Sequence, residues 1–290
     1  MKSTLISRIE ESYTSMSKSH KVIADYILEN YEIAAYLTAA RLGEETGISV
    51  STVVRFASTM GFEGYPEFQQ ALRETIKGKL TTPQRIEVSL SQISNDEIID
   101  RVLTKDIDMI KDSLANISRE DFKKATETIN SAKKIYIIGV RSSASLASFM
   151  YFYFKMIFTN VRLISSNSES EMFEEIIKIS PDDVCIALSF PRYSKQVYNV
   201  LSFARDKGAK IVAITDNENA PIASLADNVL IAKSEMTSFM DSLVAPLSII
   251  NALMLSVARQ RSDEVKQAFV DLEKVWDQYE VYEKLEESEN

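Results

Sequence analysis

Two short stretches combine side chains suited to holding an anion. The first, Gly139-Val140-Arg141-Ser142-Ser143, follows the apolar run Ile135–Ile138. A strand-to-helix turn rich in Gly and Ser presents N–H groups and hydroxyls at the positive end of the helix. The second, Leu188-Ser189-Phe190-Pro191-Arg192-Tyr193-Ser194, follows the apolar run Val184–Leu188. Ser189 and Ser194 supply hydroxyls there, and Arg192 is a planar fork for phosphate or carboxylate. Open parallel sheets bind ligands outside the carboxyl ends of their strands. Ser142, Ser143, Ser189, Arg192 and Ser194 are therefore candidates to enclose one anionic ligand. The alternative stays open at this point: serines at helix starts also serve simply as N-caps. Neither stretch is a G-x-G-x-x-G or a Walker sequence, so no nucleotide cofactor is expected.

A third stretch points to DNA. In Thr38–Gly61, TAARLGEETGISVSTVVRFASTMG, Thr38 and Ser49 are placed to cap two successive helices. Gly47 suits a tight turn that needs positive φ, and Gly61 suits a left-handed helix end. In the second helix Val53, Phe56, Ala57 and Met60 recur at helical spacing and should face a core. Ser51, Thr52, Arg55 and Thr59 point the other way. Such a helix enters the major groove in helix-turn-helix proteins, where Arg pairs bidentately with guanine and hydroxyls meet base edges or phosphates. Ser49, Ser51, Thr52 and Arg55 are the candidate readers, with Lys18 and Arg41 (and Lys21) as phosphate contacts. An ordinary helical hairpin with a polar face would show the same spacing.

Catalytic and metal chemistry have little to work with. The chain of 290 residues has one cysteine, Cys185, and one histidine, His20. Cys185 lies in an apolar run and reads as a small core residue. His20 reads as a polar surface residue near Lys18 and Lys21. No disulfide, zinc cluster or His-dependent triad can be assembled. Glu169, Glu171, Glu174 and Glu175 crowd one helix start and read as a solvated first turn.

These groups need elements to position them. Residues 1–77 read as helical throughout, and 78–94, which contain Pro83, as a linker. An amphipathic helix is expected over 95–117, packing on the second domain or bridging subunits. From residue 133, β-rich runs at 134–138, 161–165, 184–189, 210–215 and 228–232 alternate with helical segments. This rhythm implies a five-stranded parallel sheet flanked by helices in residues 95–290. Helices near 241–259 and 262–286 should close the chain. The net charge is −9. Residues 1–80 hold nine basic and ten acidic side chains, so the acidity lies mainly outside the proposed reader. No apolar run approaches the ~20 residues that cross a bilayer. No membrane partner is expected, and a cytoplasmic location is.

Residues 1–77 resemble the helix-turn-helix domain of the RpiR/MurR family of bacterial regulators. The resemblance is carried by SKSHKVIADYILEN, ISVSTVVRFASTMGFEGYPEF and the Ala-Ala-x-Leu-Gly start of the first motif helix. Residues from about 115 to 260 resemble the SIS sugar isomerase domain, a flavodoxin-like fold and that domain's usual partner. The family's G-x-G-x-S reads GVRSS here, so Ser143 takes the serine and Arg141 replaces a glycine. Its S-x-S-G-x-T reads SFPRYS, so Ser189 and Ser194 match while Pro191 and Arg192 replace Ser and Gly. KGAKIVAITDNENAPIASLADNVL matches the family well. A third loop near Ser238 and Ser242 precedes a helix expected to close the pocket, with Leu243 where relatives often carry Arg.

The resemblance implies a transcription regulator with no catalytic residues, whose affinity for operator DNA changes on binding a sugar phosphate or a more acidic sugar derivative. It implies a homodimer or homotetramer and a palindromic operator. The alternatives are a sugar-phosphate isomerase with a helical appendage and a sugar-binding partner without DNA activity.

Overall fold

The computed structural model describes residues 5–76, 81, 83–86, 97–166, 168–236 and 240–283. The chain divides into two compact units, Met1–Lys105 with Met236–Asp241, and Asp106–Glu235 with Ser242–Asn290.

The first unit is helical: α1 (Leu5–Ser12), α2 (Lys18–Glu29), α3 (Tyr31–Ala34), α4 (Ala39–Thr46), α5 (Val50–Thr59) and α6 (Tyr65–Ile76). Local chemistry sets the boundaries. The Ser17 hydroxyl accepts the His20 N–H at 3.3 Å and starts α2, and the Thr38 hydroxyl accepts the Arg41 N–H at 3.2 Å and starts α4. Gly47 ends α4 at φ 68°, and Gly61 follows α5 at φ 84°, conformations that Gly adopts without a Cβ clash. Ile23, Ile27, Leu42, Val53, Phe56, Ala57 and Phe68 are fully buried in one core. Phe56 and Phe68 meet edge to face, with centroids 5.7 Å apart. This core fixes the inner face of α5 and so decides which residues α5 shows to solvent. Of the expected linker, residues 83–86 form one helical turn despite Pro83, which is tolerated in a first turn; most of the remainder lies outside the described residues.

The second unit opens with α7 (Ile98–Asn116, its first turns in the first unit) and α8 (Arg119–Ser131). Then β1 (Ile135–Gly139), α9 (Ser143–Ile157), β2 (Val161–Ile164), α10 (Glu169–Ile176), β3 (Val184–Leu188), α11 (Lys195–Asp206), β4 (Lys210–Thr215) and β5 (Asn228–Ile231) follow. α12 (Val244–Gln260) and α13 (Ser262–Gln278) close the unit. The five strands are parallel in the order β2-β1-β3-β4-β5. Alternate side chains leave opposite faces of each strand. Ile135, Ile137, Val184, Ile186, Val212 and Ile214 pack on one side with α8, α9 and α12. Tyr136, Ile138, Cys185, Ala187, Ile211 and Ala213 pack on the other with α10 and α11. Burial pushes the Cys185 thiol up to about 12, as expected of a thiol with no solvent to ionise into. Among the described residues no helix is long and apolar enough to cross a membrane.

The helix expected over 95–117 forms, but its apolar positions mostly do not pack on the sheet. Met109 and Ser113 are buried, whereas Ile107, Ile110 and Leu114 remain exposed. Ile110 and Leu114 line an apolar groove of about 880 Å³ between α7, α8, α12 and α13.

Candidate functional site

On the first unit, Ser49, Ser51 and Arg55 are exposed and Thr52 is half-buried, all on the outer side of α5. Ser49 begins the helix but does not cap it with its side chain, which corrects the sequence expectation. Its hydroxyl instead bonds the hydroxyls of Ser51 at 3.1 Å and Thr52 at 2.9 Å. The Thr52 hydroxyl in turn accepts from Arg55 Nη2 at 3.1 Å. Four polar side chains are thus linked before any ligand arrives, with most of the Arg55 donors still free to pair. Arg41 is exposed but shared with Glu44 at 2.8 Å and Glu45 at 3.4 Å, which dilutes its charge toward an anion. Lys18 is exposed, and Lys21 lies over the Tyr13 ring, 5.3 Å from its centroid. His20 is not the plain surface residue expected. It is half-buried, with its ring edge-on to Phe56 and centroids 5.5 Å apart.

On the second unit the strand order reverses direction between β1 and β3, and open parallel sheets bind ligands outside the carboxyl ends of their strands at such a point. The two serine loops leave these neighbouring strands, whose last residues Gly139 and Leu188 are register partners. Gly139 is required there, because a Cβ would lie 2.6 Å from the Ser143 carbonyl oxygen. That close turn carries α9 directly over the strand end. Arg141 adopts φ 55°, the left-handed conformation that the family glycine takes freely, at a cost of roughly 1–3 kcal/mol for a residue with a Cβ.

The serine side chains bear on the choice between capping and availability. Ser142 and Ser194 stand at the N-caps of α9 and α11, yet neither hydroxyl makes a capping bond. Ser143 and Ser189 are only 5% and 4% exposed. Ser189 is held by its backbone, with its N–H donating to Ile214 O at 3.2 Å and its carbonyl accepting from Thr215 Oγ1 at 2.7 Å. Among the described residues none of these four hydroxyls has a protein hydrogen-bond partner. Arg192 is exposed. Ser242 is tied elsewhere: its hydroxyl donates to Asp106 Oδ1 of α7 at 2.6 Å, so it is engaged rather than waiting for a ligand. Ser238 lies outside the described residues.

The loops also rest on residues that sequence reasoning did not single out. Tyr193 donates to Asp216 Oδ1 at 2.7 Å and accepts from Asn217 Nδ2 at 2.9 Å. Asp216 is fully buried, so this bond pins the second serine loop to the end of β4. Its signal was the TDN ending β4 directly after an apolar run, where a buried carboxylate needs a donor. Two of the four glutamates are engaged by neighbouring side chains: Glu169 accepts from Asn199 and Glu171 from Ser166.

Comparison with known proteins adds the family. Residues 3–79 match the helix-turn-helix domain of the rpiR family, and residues 128–256 match the SIS domain. An uncharacterized HTH-type transcriptional regulator of Clostridium perfringens is 24% identical over 269 residues, spanning 90% of this chain and 94% of that one. One of Escherichia coli is 27% identical over 219 residues, spanning 72% of this chain and 74% of that one. Among solved structures, the Vibrio vulnificus NanR protein complexed with ManNAc-6P is similar over 95% of this chain and 98% of its own, at TM-score 0.57 and 24% identity. The sugar isomerase domain of an RpiR transcription factor from Sphaerobacter thermophilus covers 61% of this chain and 99% of its own, at TM-score 0.59 and 22% identity. These structures share the fold. With a reading-head domain and a sheet domain matched in the same order, the chain belongs to the RpiR family of helix-turn-helix transcriptional regulators that carry an SIS domain.

Proposed function

We propose that the chain binds operator DNA through α5 and that a phosphorylated, or otherwise anionic, sugar held at the carboxyl ends of β1 and β3 sets its affinity for that DNA. The observation that carries this reading is the set of four uncapped serine hydroxyls, Ser142, Ser143, Ser189 and Ser194, gathered at the point where the strand order reverses. Such hydroxyls, together with the N–H groups opening α9 and α11, suit a phosphate. Arg141 and Arg192 add two cations at loop positions where relatives commonly carry glycine. The ManNAc-6P complex of the similar NanR protein supports a sugar phosphate as the effector class.

The reading half rests on Ser49, Ser51, Thr52 and Arg55 toward base edges, with Lys18 and Arg41 toward phosphates. A regulator fits better than an isomerase. The second domain has no histidine, since the one in the chain is His20, and Glu169 and Glu171 are engaged within their own surface. A general acid–base pair facing the strand ends is what an isomerase would need. We take residues 1–77 as the reader, 78–94 as the linker and 95–290 as the sensor. Two copies of the chain would pair through the apolar groove beside Ile110, Leu114 and Leu255, presenting two recognition helices to a palindromic operator. Effector binding would alter that pairing and shift DNA affinity by about 1–3 kcal/mol.

The test is fluorescence anisotropy of the full chain on DNA flanking its own gene, with and without a panel of hexose and N-acetylhexosamine phosphates. One effector should change the operator Kd about 5- to 150-fold. Absence of sequence-specific binding on any such fragment sinks the reading half. Specific binding that no sugar phosphate alters sinks the sensing half. Aldose–ketose interconversion of the same sugars, followed by NMR, would favour the isomerase.

A further inference from the structure

The outer surface of the first unit contains a cleft of about 640 Å³ that the reading of α5 leaves unexplained. One wall is the first turn of α2, with Ser17, Ser19 and His20, and the other is α5, with Thr52, Arg55 and Thr59. Every residue lining the cleft has a polar side chain, and none is a carboxylate. It offers hydroxyls, a guanidinium and an imidazole, a donor-rich set suited to an anion.

The donors differ in availability. The Ser17 hydroxyl accepts the His20 N–H in capping α2 and keeps its own proton, whereas Thr59 donates to the Arg55 carbonyl at 2.9 Å. Arg55 spends one N–H on Thr52 and keeps the rest. Among the described residues, the Ser19 hydroxyl and both His20 ring nitrogens have no hydrogen-bond partner. The His20 ring is nevertheless fixed, because its edge-on contact with Phe56 anchors it to the buried face of α5. The two walls therefore move together, and any anion held between them is placed relative to the recognition helix.

We propose that this cleft seats a backbone phosphate of the DNA strand running beside α5, with Ser19 and His20 as its donors. The proposal rests on α5 being the recognition helix. A helix lying in the major groove, ~12 Å wide, is flanked by a phosphate backbone on either side. The N-terminal face of α5 carries Ser49 and Ser51 toward the base edges, and the side facing α2 is left for a backbone. Contacts of this kind fix register on the duplex without reading sequence. They also suit a chain whose reading half has nearly balanced charge, with nine basic and ten acidic side chains in residues 1–80, because hydroxyl and ring N–H donors hold phosphate without a surplus of cations.

Two variants of the full chain test the proposal. Ser19→Glu places a carboxylate in the cleft at the second position of α2, where acids favour the helix, so the thermal midpoint should hold or rise. Binding to operator and to unrelated duplex should fall by the same factor, about tenfold or more. Unchanged binding to both, or a loss confined to the operator, overturns the proposal, the second outcome making the cleft a base-reading site. Ser19→Ala with His20→Ala, probed by phosphate ethylation interference, should lose the block at one backbone position per half-site and keep the others. An interference pattern identical to that of the parent also overturns it. If the parent chain binds no DNA specifically, the reading of α5 fails instead, and that result is distinct from either variant's.

Discussion

The two units solve the problem of meeting an anion in opposite ways. In the reader the polar groups are already bonded to one another, Ser51 to Ser49 to Thr52 to Arg55. In the sensor they are unbonded, with Ser142, Ser143, Ser189 and Ser194 presented at strand ends and Ser143 and Ser189 almost wholly buried. A partnered network resists rearrangement and favours a fixed register on a long partner. Hydroxyls that no protein group has taken stay available to whatever ligand reaches the strand ends, so occupancy there can vary. The difference suggests a division of labour, in which one surface is constant and the other is conditional.

The comparison can be broken most severely at the core of the reader. Phe56→Ala should destabilise the first unit by roughly 3–5 kcal/mol and abolish DNA binding. Calorimetry should still show a second transition that the effector raises. Loss of the effector-dependent transition would mean that the two units do not behave separately.

On the sensor side, Gly139→Ala pushes a methyl group against the Ser143 carbonyl oxygen, at 2.6 Å. About 1–3 kcal/mol of destabilisation is expected, with weakened effector binding and normal operator binding without effector. Isothermal titration beside anisotropy would check both.

Arg55→Ala and the pair Ser143→Ala with Ser194→Ala sharpen the contrast directly. The first should cost ~1–3 kcal/mol on the operator alone, since a base-reading Arg carries specificity. Equal losses on random DNA would make Arg55 a phosphate contact. The double serine variant should leave operator affinity intact and remove the effector response. An unchanged titration would move the pocket elsewhere.

The smallest effect is expected at Arg141→Gly. Relief of the left-handed backbone should raise stability by up to ~1 kcal/mol in thermal unfolding. Effector affinity should fall if the guanidinium contacts the ligand and stay constant if it does not.

Much of the framework is legible in the residues. The run Lys210–Thr215 is a strand at the expected bounds, and the other four strands lie within a residue of theirs. Val53, Phe56, Ala57 and Met60 face the core because their spacing allows one buried stripe and no other. The two serine loops leave neighbouring strand ends because alternating strands and helices impose a parallel sheet with a reversal point. What spacing does not reveal is long-range pairing. Ser242 looks like a third loop serine, but Asp106, 136 positions earlier, takes its hydroxyl. Tyr193 and Asp216 find each other across 23 positions. His20 looks polar and exposed because its packing partner, Phe56, belongs to another helix. The apolar stripe of α7 predicts burial, yet Ile107, Ile110 and Leu114 are bare within one chain.

One buried atom has a practical consequence. Cys185 is the only thiol in the chain, it sits within the central sheet, and it is fully enclosed. To a maleimide or a spin-label reagent the native protein is blank. A single cysteine added at the exposed Thr59 would then be the one labelled position on each copy, with no need to remove the native residue. In the proposed pair of copies, the spacing between two such labels, read with and without effector, would follow the reading heads as a ruler follows two marks.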